Sequence, residues 1–179
     1  KRKIINIKKN IKEINKFFGF NVSINQKFIE VPIDLIILLK KISSLLKKTG
    51  GGILLIDYGY TNNKMFNSIQ SVQNHKKSNF LREKGKNDIT HLVNFHLIKK
   101  IFQKVGMSVN GPVTQKYFLS QMGIFERAEI ISKNLTFKEK TNIYYRLKRL
   151  TDKKQMGELF KVIFASDKLS KFNIGFLND

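Results

Sequence analysis

The clearest periodic segment of the chain runs from Pro32 to Lys48. Lysine and serine occupy one side of this segment, and apolar residues recur at helical spacing on the other, at Leu35, Leu38, Leu39, Ile42, Leu45 and Leu46. Pro32 suits the first turn of a helix, and Asp34 lies near the positive end of the helix dipole. The pattern therefore predicts a helix over residues 32–48, which the following glycines can end by adopting positive φ.

A short apolar run, Ile53 to Ile56, follows these glycines and leads into Asp57, Tyr58 and Gly59. A continuous apolar run bounded by glycines is typical of a strand that is buried on both faces. A helix, a glycine turn and a buried strand make up one step of a parallel sheet, so this part of the chain predicts an α/β fold.

The rest of the pattern divides the chain into three parts. Residues 1–31 are predicted to be an irregular basic segment with short strands at 3–7 and 28–31. Residues 32–166 form the main unit, with further helices at 95–105, 114–122, 124–133 and 136–150 and strands at 107–110 and 160–165. Residues 111 and 112 are predicted to turn the chain, residues 61–86 to form a long polar loop, and residues 167–179 to form a tail.

Composition narrows the classes of function. The chain has no cysteine, which excludes disulfides, thiolate metal sites and a cysteine nucleophile. The net charge is +21, but the lysines are dispersed along the chain, which argues against a specific nucleic-acid interface. The densest basic stretch, residues 1–16, leaves attraction to a membrane surface open. No apolar run approaches the length of a transmembrane helix.

The end of the predicted strand is the first place to look for chemistry. Ligands of parallel sheets bind beyond the carboxyl ends of the strands, where Asp57, Tyr58 and Gly59 lie. Asp57 is suited to bind a ligand, and it is equally suited to cap the turn that follows.

Histidine provides a second candidate. His75 lies in the polar loop, where it could contact a substrate or act as a base near neutral pH, or could simply be a surface residue. The spacing of His75, His91 and His96 does not match a zinc motif, so no metal site is predicted.

Two further pairs of polar residues have two interpretations each. Asp88, with Thr90 beside it, precedes the helix predicted from residue 95, and capping of that helix is favoured over a bond to a cationic substrate group. Gln115 follows Thr114 after a Gly–Pro pair, where the two residues could cap a helix or face a cleft.

Several segments, taken in order, resemble one protein family. The matching segments are residues 51–59, His75, residues 85–90 with 93–95, residues 111–115, residues 118–119, residues 123–124 with Arg127, and residues 150–152 with 155–157 and 160–161. They resemble the protein methyltransferases that include the mitochondrial complex I assembly factor and bacterial MidA-like proteins. The resemblance covers roughly residues 29–165.

The resemblance implies the C-terminal part of a Rossmann-like class I methyltransferase sheet, with extra helices and an antiparallel final strand. Residues 51–57 would form the fifth strand of that sheet. It also implies S-adenosyl-L-methionine as cofactor, arginine methylation of a protein substrate such as a complex I subunit, and a cytoplasmic location, or the mitochondrial matrix in a eukaryotic source. The substrate-side candidates are Asp57, Tyr58, Gly59, His75, Asp88, Thr90 and Gln115.

The sequence departs from the family in two respects. The glycine-rich cofactor loop and the Asn-Glu-Phe-x-Asp-Ala-Leu-Pro stretch do not occur in residues 1–179, so the cofactor site is expected upstream of this chain. Asn94 stands where the family tends to have Asp. A sheet without its first strands exposes an apolar edge, which predicts an upstream half or a second copy as partner. The alternative is a non-catalytic remnant that acts as an assembly or binding module.

Overall fold

The computed structural model describes residues 7–19, 21–24, 26–74, 76–79, 85, 87–168 and 172–177. Seven helices and seven strands lie in these residues. Along the chain they are α1 (Ile7–Phe18), α2 (Ile33–Thr49), β1 (Gly52–Tyr60), β2 (Gln70–Gln73), β3 (Lys76–Lys77), β4 (Asp88–Thr90), β5 (Val93–Asn94), α3 (Phe95–Lys104), β6 (Ser108–Thr114), α4 (Gln115–Gln121), α5 (Ile124–Ser132), α6 (Phe137–Thr151), α7 (Met156–Leu159) and β7 (Phe160–Ser166).

The main sheet has the strand order β5-β1-β7-β6. β1 and β5 are parallel, whereas β7 runs antiparallel to both of its neighbours, β1 and β6. β1 and β6 therefore point in the same direction, and their carboxyl ends lie at one edge of the sheet. This confirms the expected α/β fold with an antiparallel final strand.

One face of the sheet is covered by α2 and α3. Phe95, Ile98, Ile101 and Phe102 recur along one side of α3, and all four are buried. They pack with Leu39 of α2 and with Ile163 and Ala165 of β7 in one core cluster. The helical spacing of the apolar residues in α2 and α3 directs each apolar side towards this face.

Among the described residues, the other face of the sheet is covered mainly over β6 and β7. There Val113, Phe118, Val162 and Phe176 form a second, smaller core cluster. On β1, by contrast, Leu54 is 44% exposed and Ile56 is 46% exposed.

The outer edge of β1 is also open along most of its length. β5 pairs only with Gly59 and Tyr60, so residues 52–58 have no strand partner on that edge among the described residues. β1 has the composition of an inner strand, yet the described residues leave Leu54 and Ile56 exposed on its second face.

The N-terminal prediction is wrong over its described part. Residues 7–18 form α1, where an irregular segment was expected, and residues 28–31 do not form a strand. Ile14, Phe17 and Phe18 lie at helical spacing, and they pack against the main core. Lysine and asparagine between them obscure this pattern in the sequence. The boundaries at residues 32 and 167 remain predictions.

Three other elements differ from the sequence prediction. β6 runs on to Thr114, because a register irregularity between Asn110 and Val113 accommodates the expected Gly–Pro turn within the strand. The polar loop contributes β2 and β3, which form a small antiparallel sheet with β4 in the order β3-β2-β4. The short helix α7 was not predicted. The helices predicted after residue 32 and the strands β1 and β7 are confirmed within a few residues at each end.

Candidate functional site

The site is built around the close approach of β1 and β5. Gly59 lies opposite Val93, and Tyr60 lies opposite Asn94. A Cβ atom on Gly59 would come within 2.1 Å of the Val93 carbonyl oxygen, so only glycine allows the two strands to lie this close. The carboxyl ends of a parallel pair thus place Tyr60 and Asn94 side by side.

The oxygen and the nitrogen of the Asn94 side-chain amide have different surroundings. Its Oδ1 accepts a hydrogen bond of 3.0 Å from the Leu97 backbone N–H, which caps the N-terminus of α3. Its Nδ2 lies near the Tyr60 hydroxyl, but neither atom makes a hydrogen bond of ordinary geometry, and both are buried. Burial, and next the charge of Glu30, raise the pKa of Tyr60, while the Asn94 amide opposes this shift.

Glu30 is the charged centre of the site. Its Oε1 lies 3.2 Å from His91 Nδ1, which makes an ion pair when the imidazole is protonated. Its Oε2 accepts a hydrogen bond of 3.1 Å from the Ser68 hydroxyl. Ser68 is buried, and its oxygen in turn accepts a hydrogen bond of 3.0 Å from the Leu92 N–H. The carboxylate is therefore held in one orientation by a buried hydroxyl that is itself fixed by the backbone.

These groups line a cleft of about 230 Å³, here named the Glu30 cleft. Glu30, His91 and Asn94 provide its polar groups, and its apolar walls include Leu35, Val93 and Ile98. An oriented carboxylate above an apolar wall suits a ligand with a cationic head and an aliphatic stem.

A second cavity, of about 390 Å³, lies on the other side of Asn94. Amide side chains, including Gln26 and Asn63, line it together with His96 and Lys100. Burial, followed by the charges of Lys100 and then Lys99, lowers the pKa of His96. This cavity has no described acidic residue in its lining, so it is a poorer site for a cation than the Glu30 cleft.

The predicted residues of β1 lie just before the site. Asp57 is exposed, and its Oδ1 accepts a hydrogen bond of 2.8 Å from the Tyr58 N–H. β1 does not end at Asp57 as expected but runs on to Tyr60, so no turn follows directly for this side chain to cap. The Tyr58 ring packs edge to face against Phe160 at 5.8 Å between centroids. Gly59 permits the approach to β5. A substrate role for these three residues remains a prediction.

The other candidates are spread over the structure. His75 lies outside the described residues. Asp88 is exposed in β4 opposite Val72, and Thr90 is half-buried in the same strand. The expectation that Asp88 caps the following helix is wrong, because Asn94 occupies the capping position.

Gln115 lies further along the same edge of the sheet. Thr114, rather than Gln115, caps α4 through its side chain. Gln115 is 6% exposed and donates a hydrogen bond of 2.8 Å to the Leu150 carbonyl, which ties α4 to the end of α6. β6 and β1 are separated by β7, which puts their ends about 10 Å apart. Gln115 therefore lies near the site, but its side chain is used in the hydrogen bond to Leu150.

Glu30, Ser68 and Tyr60 were missed in the sequence, and His91 and Asn94 were noted there without a role. Only Asn94 carries a local signal, since asparagine directly before an apolar-periodic segment is typical of a helix N-cap. The others are brought together by packing between distant segments.

The described residues do not by themselves fit a cofactor site of the class I type. No glycine-rich strand-to-helix turn occurs among them, and the glycines at 50–52 precede β1. In the described part of the chain, no three His, Asp or Glu side chains lie together as ligands for a metal ion.

Comparison with known proteins identifies the family. Residues 3–113 match a family model described as "Putative S-adenosyl-L-methionine-dependent methyltransferase". This chain belongs to that methyltransferase family. Enzymes of the family depend on S-adenosylmethionine.

The curated relatives are longer than this chain. The mitochondrial protein arginine methyltransferase NDUFAF7 of Danio rerio is 25% identical, over 76% of this chain and 32% of its own length. The Xenopus tropicalis protein of the same name is 28% identical, over 74% and 31%. The human protein is 29% identical, over 74% and 30%. This methyltransferase chain thus spans about a third of the length of the curated relatives that it matches.

Solved structures show the same fold. A crystal structure of an uncharacterized Burkholderia thailandensis protein superposes with a TM-score of 0.70 at 22% identity, over 80% of this chain and 39% of the other. A second structure from that organism, bound to S-adenosyl-homocysteine, superposes with a TM-score of 0.65 at 20% identity, over 80% and 38%. No helix in the described part of this methyltransferase chain is long and apolar enough to cross a bilayer.

Proposed function

We propose that this chain forms the acceptor side of an S-adenosylmethionine-dependent protein arginine methyltransferase, with the Glu30 cleft receiving the arginine side chain. The observation that carries the proposal is the oriented Glu30 carboxylate at the carboxyl ends of β1 and β5. The names of the relatives supply the reaction, and the cleft supplies a place for the acceptor.

The chemistry of the cleft suits a guanidinium group. A carboxylate binds a guanidinium through two parallel hydrogen bonds, which fix the plane of the acceptor as well as its position. Ser68 holds one Glu30 oxygen. His91 is half exposed and occupies the other oxygen, so it is the group that an incoming arginine replaces.

The apolar walls complete the fit. Leu35 and Ile98 belong to these walls, along which the three methylene groups of an arginine would pass. Burial of the methylene groups adds affinity while the guanidinium keeps its charge. S-adenosylmethionine would supply the methyl group. The residues of this chain bind and orient the acceptor nitrogen, which is the positioning role that accounts for much of the rate in a two-substrate reaction.

The remaining part of the enzyme is proposed to join at β1. Its outer edge at residues 52–58 is unpaired among the described residues, and Leu54 and Ile56 are exposed beside it. A polypeptide that adds a parallel strand there would cover this edge and carry the cofactor site. It is proposed to correspond to the upstream part of the longer relatives.

The protein target and the cellular compartment are proposed from the family resemblance and from the names of the relatives. The family resemblance suggests a complex I subunit as target, and the mitochondrial relatives suggest the matrix for a eukaryotic source, with the cytoplasm otherwise. A non-catalytic remnant is not favoured, because the family match and the arginine methyltransferase relatives point to an enzyme.

The test is a methyl-transfer assay with labelled S-adenosylmethionine and an arginine-containing peptide. The chain is assayed alone and together with a polypeptide that supplies the upstream region of a relative. Activity is expected only in the mixture. Glu30→Gln is expected to lower kcat/KM by about 10- to 100-fold, because a charge-assisted pair is replaced by a neutral contact.

The control is Glu126→Gln, which removes an exposed acid from α5, away from the cleft. It is expected to leave kcat/KM unchanged. If the mixture shows no methylation, or if Glu30→Gln behaves as Glu126→Gln does, the proposed function is wrong.

A further inference from the structure

α5 and α6 form a helical hairpin on the outside of the molecule. No residue of α5 is buried, and Thr151, at the far end, is the one buried residue of α6. Both helices are nevertheless apolar in part. The hairpin tip, defined here as residues 130–141, therefore presents apolar side chains to solvent.

The most exposed of these side chains is Phe137, which is 86% exposed. Tyr144 and Tyr145 follow it at helical spacing on the same side of α6, and both are also exposed. Together the three rings form what we call the aromatic stripe, about 12 Å long at 1.5 Å per residue. Ile130 and Ile131 add exposed apolar surface at the end of α5.

The charge around the stripe is positive. α6 carries five basic residues, and its one acid is Glu139. Glu139 accepts hydrogen bonds from the hydroxyl and the N–H of Thr136 in a capping box, and these bonds lower its pKa. Lys133, Lys138 and Lys140 surround Phe137 in the sequence of the tip. A partner of this surface must therefore be anionic as well as able to take up aromatic rings.

We propose that the hairpin docks on the surface of a lipid bilayer that contains anionic lipids. The aromatic stripe enters the headgroup region, where tyrosine and phenylalanine side chains are favoured, and the basic residues of α6 pair with lipid phosphates. The chain lies on the membrane through this hairpin and does not cross it.

The structure favours the hairpin over the most basic part of the sequence as the lipid contact. Ile14, Phe17 and Phe18 of α1 pack against the core, so the apolar side of that helix is already occupied. In α6 the aromatic side chains remain outside. A fluid bilayer accepts exposed rings without a matching groove, which a protein partner would need.

The test is co-sedimentation of this chain with vesicles, with and without the upstream polypeptide. One set of vesicles is phosphatidylcholine alone, and the other is phosphatidylcholine mixed with phosphatidylglycerol. Binding is expected only to the second set, and it is expected to fall as salt is raised, since screening weakens the lysine contacts.

Two matched variants test the stripe itself. Phe137→Ser with Tyr145→Ser is expected to weaken vesicle binding at least about tenfold, because two rings are removed from the contact. Ile89→Ser with Ile174→Ser removes apolar side chains that are also exposed but lie outside the hairpin, and is expected to have no effect. Circular dichroism checks that both variants are folded.

Four results would overturn the proposal. The first is binding to neither set of vesicles, and the second is equal loss of binding in both variants. The third is loss of vesicle binding when the upstream polypeptide is present, which would mean that the rest of the enzyme covers the hairpin. The fourth is binding to poly-glutamate without binding to vesicles, which would replace the bilayer by an acidic protein.

Discussion

Tyr60 and Asn94 lie opposite each other across the parallel pair β1 and β5, and the hydroxyl of one and the amide nitrogen of the other are buried without a well-formed hydrogen bond. Tyr60 is only 9% exposed. Buried polar groups without partners cost stability, and in native proteins they often mark a functional position. This pair adjoins the Glu30 cleft, so it is the first place to separate stability from activity.

Removal of the Tyr60 hydroxyl is therefore expected to affect the stability of the chain and its methyl-transfer activity differently. Tyr60→Phe is expected to leave the free energy of unfolding unchanged or to raise it by up to about 1 kcal/mol, because it removes an unsatisfied polar group. Methyl transfer by the mixture with the upstream polypeptide is expected to fall. Urea unfolding measures the first property, and the methylation assay measures the second.

Asn94→Asp is the complementary variant. It keeps the cap on α3 and gives the Tyr60 hydroxyl a carboxylate acceptor, so it is expected to stabilise the chain by about 1 kcal/mol. If Tyr60→Phe strongly destabilises the chain, the hydroxyl has a partner and the interpretation of this pair is wrong.

Gly59 is expected to tolerate no side chain. Gly59→Ala brings a Cβ within 2.1 Å of the Val93 carbonyl oxygen and 2.9 Å of the Phe95 ring. Because one of these atoms belongs to the backbone, the variant is expected to lose about 3 kcal/mol of stability. Gly85→Ala is the control: Gly85 has positive φ, which Gly59 does not, but nothing lies within 4 Å of its Cβ position. It is expected to lose only about 1 kcal/mol, and equal losses in denaturant unfolding would contradict the steric explanation.

Leu54 tests the proposed contact with the upstream polypeptide. Leu54→Glu is expected to change the stability of the chain alone by no more than about 0.5 kcal/mol, because the side chain is exposed. Its affinity for the upstream polypeptide is expected to fall at least about tenfold, because a charge replaces an apolar group that the contact would bury.

Leu55, the neighbour of Leu54, lies on the opposite face of β1 and serves as the comparison. Leu55 packs against the main core, so Leu55→Glu is expected to unfold the chain. Association is measured by calorimetric titration. Unchanged affinity of Leu54→Glu would mean that the upstream polypeptide does not cover this face.

His96 predicts how stability depends on pH. Its pKa is lowered in the folded chain, whereas an unfolded histidine titrates near about 6.5. As pH falls through that value the unfolded state takes up the proton first, so this group makes the chain less stable in acid and has no effect well above about pH 6.5. His96→Gln is expected to show a smaller drop in melting temperature between about pH 7.5 and about pH 5.5. An unchanged drop in melting temperature in His96→Gln would mean that His96 is not the group responsible.

Much of the fold could be predicted because the signals are local. The apolar spacing in α2 and α3, the glycines after α2 and the continuous apolar run of β1 each lie within a few turns of chain, and each predicted its element. α1 escaped prediction because lysine and asparagine interrupt its apolar side. β2 and β3 escaped because short polar strands have no strong periodicity.

The site was less predictable. Asp57 was chosen as a strand-end residue, yet β1 runs on to Tyr60, and the Asp57 side chain accepts a hydrogen bond from the N–H of the next residue. Glu30 had no local signal at all, and its partners Ser68 and His91 come from two other segments. Such a cluster depends on contacts between parts of the chain that lie far apart in sequence.

The sequence by itself thus determined the αβ step, the helices that follow it, the antiparallel final strand by resemblance, and the methyltransferase family. Only the tertiary structure decided that Tyr60 meets Asn94, that Glu30 faces His91, and that the aromatic stripe of α6 stays outside while the apolar side of α1 is buried. The physical reason is that local periodicity specifies which side of an element is apolar. What that side contacts depends on strand register and on packing between distant segments.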